Sequence, residues 1–343
     1  MEKYEFEKTL VTGAAGFIGR RIVARLLDKG IPVRALALPG EGIPEFWGGR
    51  VETMRGDVTD PVSIQRAVEG TGAVIHCAAL VSDWGPLETY WRITVEGSRN
   101  VYDAALAARS RVILLSSIAV YADRIPREVC TEDTPHGSPL GPYSRTKQAQ
   151  ENLAREYARE RGLPLAVIRP ANVYGAGSGP WVNDVLGVIQ SGLPSLVGSR
   201  SNNAGLLHAD NLADLILAVL EKGIDDGRIY NACDDLEITW RRYFSDLAAM
   251  IGAGPQRSLP LPLARASALA CEAAGRLFRF RNRPPVTREA LNLIGSDNRF
   301  PADRARRELG FQPRVGYEEG LEEIRLSLRE SSDIMKSHGG EIQ

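Results

Sequence analysis

The chain has 343 residues, a formal net charge of −1 and 43% hydrophobic residues. This is the composition of a soluble globular protein with core enough for one large α/β domain and a smaller lobe. The charge balance excludes a nucleic-acid footprint, which would show as a basic excess. The absence of any run of about 18 apolar residues excludes a bilayer-spanning helix. Four cysteines, Cys77, Cys130, Cys233 and Cys271, lie far apart, with neither metal-ligand spacing nor the density of a disulfide scaffold. The N-terminus is polar and shows no apolar signal segment, so the expected compartment is the reducing cytoplasm and no metal is expected.

In chain order, Lys8 to Thr12 reads as a strand leading into a glycine-rich turn. Phe17 to Lys29 places Ile18, Ile22, Val23, Leu26 and Leu27 on one helical face, and Gly30 ends that helix. Val33 to Leu38, Ala73 to Ala79 and Val112 to Leu115 are apolar strands, with a helix around Val95 to Ala108 before the last. Leu165 to Ile168 follows the helix that carries Lys147. Such alternation implies right-handed crossovers and a parallel sheet covered on both faces. After about Gly175 glycine and proline become dense, as in loops that build a separate lobe. Leu206 to His208, a helix over Leu212 to Leu220 and a strand over Arg228 to Ala232 return to the sheet.

The expected fold class is therefore α/β: a Rossmann-type doubly wound parallel sheet with a smaller, mostly helical C-terminal substrate lobe. Residues 1–175, joined by 206–232, form the dinucleotide domain, 176–205 and 233–330 the lobe, and 331–343 a mobile tail. Within the lobe, Leu259 to Phe280 is an apolar helix with Arg265, Arg276 and Arg279 at its edges. An ordinary packed helix is the expected reading, ahead of a pocket lining or a membrane-touching surface. Trp84, after the strand over Ala73 to Ala79, is either a pocket wall or a buried aromatic.

Gly13, Gly16 and Gly19 stand at G-x-x-G-x-x-G spacing between a strand and a helix. Glycine lets the backbone turn sharply and approach a pyrophosphate, and the helix N-terminus offers unpaired N–H groups and partial positive charge. The end of the second strand decides between NAD and NADP, through an acidic residue for the ribose hydroxyls or a basic one for the 2′-phosphate. Here it reads Leu36-Ala37-Leu38-Pro39, so the cofactor is NAD or NADP. Arg34 lies earlier in the strand. Asp57, in Gly56-Asp57-Val58, is placed either to accept the adenine amino group or to cap a turn.

Tyr143 and Lys147 are four residues apart and share one face of a helix. A free phenol titrates near about 10 and is a poor base at neutral pH. A neighbouring ammonium lowers that value toward the range of general acid–base work. Val112 to Ser117 is a strand ending in two hydroxyls, at the end of the sheet that faces a ligand crevice. Ser117 is the better candidate to bond a reacting oxygen, and Ser116 to form a turn.

These residues resemble the extended short-chain dehydrogenase/reductase family, also called the NAD-dependent epimerase/dehydratase family. The resemblance covers nearly the whole chain: Thr12 to Gly19, Gly56 to Val58, His76 to Ala79, Ser116-Ser117, Tyr143 to Lys147, Arg169 to Gly175, His208 to Asn211 and Glu308 to Phe311. It implies that Ser117, Tyr143 and Lys147 form the catalytic triad. It also implies that Gly13, Gly16, Phe17, Ile18, Gly19, Asp57, Val58, Cys77, Ala78 and Ala79 hold the cofactor with Tyr143 and Lys147. Pro170 and Val173 would support the nicotinamide. The family often has asparagine at the position of Thr94. A homodimer through the helices of the large domain, including the one bearing Tyr143, is implied as well.

Three branches are weighed. Nucleotide-sugar epimerases and dehydratases often carry a basic residue where this chain has Ala204, with Arg200 a poorly aligned substitute. Asn172 is a feature they share. The 3β-hydroxysteroid dehydrogenase-like branch is closer in Gly198 to Asn202, Asn211, Pro284 to Arg288 and Arg306 to Gly310. Flavonoid-type reductases normally show arginine at the Leu38 position and rank last. The expected activity is interconversion of a secondary alcohol and a ketone on an apolar small molecule, sterol-like or β-hydroxy/β-keto. Epimerisation or dehydration of a nucleotide sugar is the alternative, though no carboxylate follows Ser117. A non-catalytic cofactor sensor on the same fold is the third.

Overall fold

The computed structural model describes residues 7–199, 201–278 and 282–339. Arg200, Arg279 and Phe280, and the end of the expected tail at 340–343, lie outside the described residues.

The strands, in chain order, are β1 (Thr9–Thr12), β2 (Val33–Ala37), β3 (Val51–Arg55), β4 (Ala73–His76), β5 (Arg111–Leu115), β6 (Leu165–Pro170), β7 (Asn172–Tyr174), β8 (Leu196–Val197), β9 (Leu206–His208), β10 (Asp226–Ala232) and β11 (Ser258–Leu259). Seven of them form one sheet in the order β10-β6-β5-β4-β1-β2-β3, with every neighbouring pair parallel. β1, β2, β4 and β6 are buried along their whole length. Strands covered on both faces need no polar alternation, which is why they read as continuous apolar runs.

Successive residues feed opposite cores, as the period of two requires. Val11, Ile75, Ile113 and Ile168 face α1 (Phe17–Asp28) and α7 (Ala209–Glu221). Leu10, Val74, Val112 and Val167 face α2 (Pro61–Val68), α4 (Gly97–Ala108) and α5 (Pro142–Arg161). On α1, Ile22, Val23 and Leu26 are buried, and Gly30 follows at φ +70°. The strand expected over Ala73 to Ala79 ends at His76. Its partner β1 turns away into the glycine loop after Thr12, opposite His76, and the ladder to β5 ends at the same residue, opposite Leu114. The helix expected from Val95 begins earlier. α3 (Leu87–Tyr90), a π-type stretch at Trp91–Glu96 and α4 follow one another without a break.

The second lobe has its own aromatic core, with Trp240, Tyr243 and Phe244 of α8 (Trp240–Met250) packed on Tyr174, Val185 and Leu186. α6 is Asp184–Gln190. The apolar helix expected over 259–280 is α9 (Leu261–Leu277). It packs through its small residues Ala264, Ala268 and Gly275 together with Glu272, while Leu263, Leu269 and Leu277 are exposed. α10 (Arg288–Ile294), α11 (Asp303–Leu309) and α12 (Tyr317–Gly339) complete the chain. α12 thus runs through most of the segment expected as a tail.

The glycine turn tolerates no added carbon at Gly19. A Cβ there would meet the Gly13 carbonyl and stand 2.7 Å from Ala14 Cα, all backbone. Gly19→Ala is expected to destabilise the fold by about 1–3 kcal/mol, the usual range for overpacking. Urea denaturation checks this, and a change within about 0.5 kcal/mol would show that the turn relaxes freely.

Candidate active site

The chain runs from β1 outward to β2 and β3, then returns to lay β4 on the other side of β1. That reversal opens a crevice at the carboxyl ends of β1 and β4, where ligands of such sheets lie. Gly13 occupies it at φ +63°, and a Cβ there would press on the backbone of Ala78 at 3.1 Å. Gly16 is the N-cap of α1 and provides no side-chain cap. The helix end therefore keeps N–H groups for an anion. Phe17 and Ile18 follow, partly buried, with Gly177 against the Phe17 ring. Cys77, Ala78 and Ala79 form the opposite wall, and burial pushes the Cys77 thiol up to about 12, so it stays protonated. This is the cradle a dinucleotide pyrophosphate needs, and the residues present fit it.

At the outer end of the crevice, Arg34 is committed to structure. Its guanidinium bonds Glu52 at 2.9 Å and the Ala67 carbonyl at 2.8 Å. The polar groups that do reach the end of β2 were not legible in the strand itself. Arg55, paired in register with Ala37, donates to the Leu38 carbonyl at 2.8 Å and the Glu41 carbonyl at 2.6 Å. A Glu41 carboxylate oxygen accepts from Leu38 N–H at 3.1 Å. Asp57 forms a turn, accepting from Thr59 N–H at 2.8 Å, and Val58 is buried against Gly97.

Ser117, Tyr143 and Lys147 come together where β5 and α5 meet. Ser117 leaves the end of β5 as N-cap of a 3-10 segment, accepting from Ala119 N–H at 3.1 Å, and its hydroxyl faces the Tyr143 phenol. Ser116 turns the other way and donates to Glu151 at 2.7 Å. Lys147 is 3% exposed and donates to the Leu115 carbonyl at 2.8 Å and to Gln150 at 3.0 Å. The Tyr143 phenol, expected to be lowered by that ammonium, is instead pushed up to about 12. Burial dominates, Glu289 and Tyr90 add to it, and the bond from Ser117 only partly opposes it. Lys147 is pulled down to about 8 by its own burial, against the pull of Cys77 and Glu151. Glu151 is held at about 2: His136 and Arg169, which grips it through Nε at 3.0 Å, outweigh its burial.

Behind Lys147 runs a buried hydrogen-bonded chain that sequence reasoning missed. Ser98 gives its hydrogen to the Thr94 carbonyl at 2.6 Å, so it accepts from both Gln150 Nε2 and His76 Nε2, each at 2.8 Å. Burial, with Lys147 adding to it, lowers His76 to about 3, so the imidazole is neutral with a single N–H. Its Nδ1 then accepts from the Thr12 hydroxyl at 2.8 Å, which itself accepts from Ala78 N–H at 3.2 Å. The chain thus joins the glycine loop to Lys147 with every donor assigned. The Thr94 hydroxyl, where the family often has asparagine, accepts from Leu80 N–H at 3.3 Å. The available signals were a histidine inside an apolar strand and a glutamine one turn beyond the lysine.

Pro170 ends β6 and Val173 lies in β7, which pairs in parallel with β9. Asn172 Nδ2 donates to the Ala204 carbonyl at 2.6 Å, and Ala204 is fully buried.

The fold and this site define a dinucleotide-binding enzyme with a Ser, Tyr and Lys set at the mouth of its sheet. A sequence profile of the NAD dependent epimerase/dehydratase family matches residues 9–233, and the chain belongs to that family. It is 29% identical over 329 residues to a 2-alkyl-3-oxoalkanoate reductase of Stenotrophomonas maltophilia (strain K279a), covering 93% of this chain and 99% of the other. It is 23% identical to a decarboxylating sterol-4-alpha-carboxylate 3-dehydrogenase of Dictyostelium discoideum, covering 93% and 100%. These relatives fit the 3β-hydroxysteroid dehydrogenase-like branch expected from the motifs. Among solved structures, DesIV, a dTDP-glucose 4,6-dehydratase from Streptomyces venezuelae with NAD and TYD bound, superposes with a TM-score of 0.74 at 26% identity. That match covers 94% of this chain and 97% of the other. Among the described residues no helix is long and apolar enough to cross a membrane, and no cluster of metal-ligating side chains occurs.

Removing one link of the buried chain strands two groups at once. Gln150→Leu is expected to cost about 2–3 kcal/mol in urea denaturation, because it takes an acceptor from Lys147 and a donor from Ser98. A loss below about 0.5 kcal/mol would mean that these bonds are replaced elsewhere.

Proposed function

We propose that this protein is an NAD(P)-dependent reductase or dehydrogenase that interconverts a secondary alcohol and a ketone on an apolar substrate, a β-keto or β-hydroxy compound or a sterol. The observation that carries the reading is the juxtaposition of Ser117 and Tyr143 beside buried Lys147, at the end of the sheet that holds the glycine cradle. When bound, a nicotinamide dinucleotide supplies or accepts the hydride. Gly13, Gly16, Phe17, Ile18 and Gly19 would hold its pyrophosphate, with Cys77 to Ala79 opposite. Asp57 and Val58 would meet the adenine, and Pro170 and Val173 would back the nicotinamide.

The rest is proton handling by this chain. Tyr143 is held in its protonated form, which suits it to give a proton to a ketone oxygen as the carbon is reduced. In the reverse direction the phenol oxygen takes that proton back. Ser117 orients the reacting oxygen, and Lys147 lies one helical turn below the phenol, where its charge favours a transient phenolate. The relatives named as a reductase of an alkyl-oxoalkanoate and a sterol dehydrogenase support an apolar substrate.

A nucleotide-sugar reading is favoured by the likeness to DesIV, a dTDP-glucose dehydratase. It is disfavoured by Ala204, a small buried residue where a diphosphate-gripping arginine is expected.

Tyr143→Phe is expected to lower oxidation of NADH or NADPH with a 2-alkyl-3-oxo acid or a 3-keto sterol by roughly 100-fold or more, the usual scale for a general acid. Full activity in that variant would sink the reading. Tight calorimetric binding of uridine or thymidine diphosphate, with no turnover of either ketone, would favour the nucleotide-sugar alternative.

A further inference from the structure

α10, in the second lobe, touches both segments that carry the reacting hydroxyls. The helix bearing Tyr143 starts at Gly141, an N-cap residue without a side chain. The acceptor it lacks arrives from 145 residues away: Glu289 Oε1 accepts from Ser144 N–H at 2.5 Å. A Cβ at Gly141 would press on Glu289 Oε2 and displace the carboxylate. One turn along α10, Asn292 Nδ2 donates at 2.8 Å to the carbonyl of Ala122. Ala122 stands at φ 44° and ψ −119°, a strained backbone for a residue with a side chain, in the segment that Ser117 caps. These groups meet around a cavity of about 10 Å³ lined by Ala119, Ala122, Ser144, Glu289 and Asn292.

We propose that α10 is the positioning element of the reacting pair: Glu289 caps and charges the helix end that carries Tyr143, and Asn292 holds the strained turn beyond Ser117. The proposal rests on the reading of Tyr143 and Ser117 given above. It makes Glu289 and Asn292 positioning residues, which act through the hydroxyls and touch no substrate. The same segment also clasps the loop after β4, where Asp83 pairs with Arg283 and accepts from Thr287 at 2.6 Å.

The charge of Glu289 reaches Tyr143 directly. Its Oε2 is buried with no hydrogen-bond partner. The titratable groups that face it are Asp83 on the loop after β4, Tyr90 on α3 and Tyr143 on α5. Burial and Asp83 push Glu289 up to about 7, against the bonds from Ser144 and Tyr143. Above that pH an anion stands beside the phenol and raises it; below, the carboxyl is neutral and the phenol ionises more easily. The sign for stability follows. The native carboxyl keeps its proton to higher pH than the unfolded chain does, so stability falls as pH rises between their two values.

The test uses the full chain as wild type, Glu289→Gln, Glu289→Ala and Asn292→Ala, each with and without Tyr143→Phe. The ultraviolet difference between each pair isolates the Tyr143 phenol. Glu289→Gln keeps an acceptor for Ser144 but no charge. It is expected to raise the Tyr143 ionisation constant roughly tenfold, the scale of one close like charge removed. The wild type is also expected to lose melting temperature relative to Glu289→Gln between about pH 5 and about pH 8. Glu289→Ala, which loses the cap, and Asn292→Ala, which frees the strained turn, are each expected to melt lower than wild type. An unchanged phenol midpoint in Glu289→Gln, with melting curves parallel to wild type across that pH range, overturns the role of Glu289, whether or not Glu289→Ala folds. Unaltered melting of Asn292→Ala overturns the role of Asn292. Neither readout needs turnover, so a chain inactive on every ketone would sink the functional reading and leave this one standing.

Discussion

A neutral imidazole between two hydroxyls is the constraint on which the site depends. His76 closes β4 directly opposite Thr12 at the end of β1, and its two ring nitrogens face opposite ways: one to the glycine loop, the other through Ser98 and Gln150 to Lys147. All of these side chains are buried. In a low-dielectric interior, a fully satisfied polar chain resists rearrangement, because every partial break strands a donor or acceptor. The glycine loop and Lys147 are therefore parts of one polar unit. The parallel pairing of β1 with β4 brings its two ends together.

The second polar unit lies on the far side of α5. Arg169 grips Glu151, Glu151 accepts from Ser116 and meets His136, and Arg169 also reaches the Tyr121 hydroxyl at 3.0 Å. A buried pair of this kind gives little net stability, since desolvation offsets much of the attraction, but losing one partner leaves a stranded charge. Its use here is geometric. It pins the end of β5 through Ser116, so that the next residue, Ser117, must face the crevice. Two adjacent serines thus take opposite sides, one structural and one at the site.

Much of this was legible in the sequence. The glycines, the apolar strands and the amphipathic face of α1 announce the sheet and the crevice, because local geometry alone requires them. Ser117, Tyr143 and Lys147 were visible for the same reason: a strand end and one helix turn fix where they point. What stayed hidden depends on residues far apart in the chain. Arg55 reaches the end of β2 only because β3 lies beside it, and Glu289 finds Ser144 across 145 positions. The ionisation of Tyr143 was misjudged for a related reason. Spacing places an ammonium nearby, but only the packed structure shows that Lys147 donates to Leu115 and Gln150, and that the phenol is buried beside a second acid.

The two shifts together favour one direction of chemistry. Burial raises the phenol to about 12 and lowers the lysine to about 8, so at neutral pH the phenol keeps its proton and the lysine most of its charge. A neutral phenol is a proton donor, so under the proposed function this site is prepared to give a proton to an oxygen rather than to take one. Taking a proton from an alcohol would require the phenolate, which burial and the neighbouring Glu289 disfavour. Burial thus does more than shelter the reaction. It holds the Tyr143 phenol in its acid form.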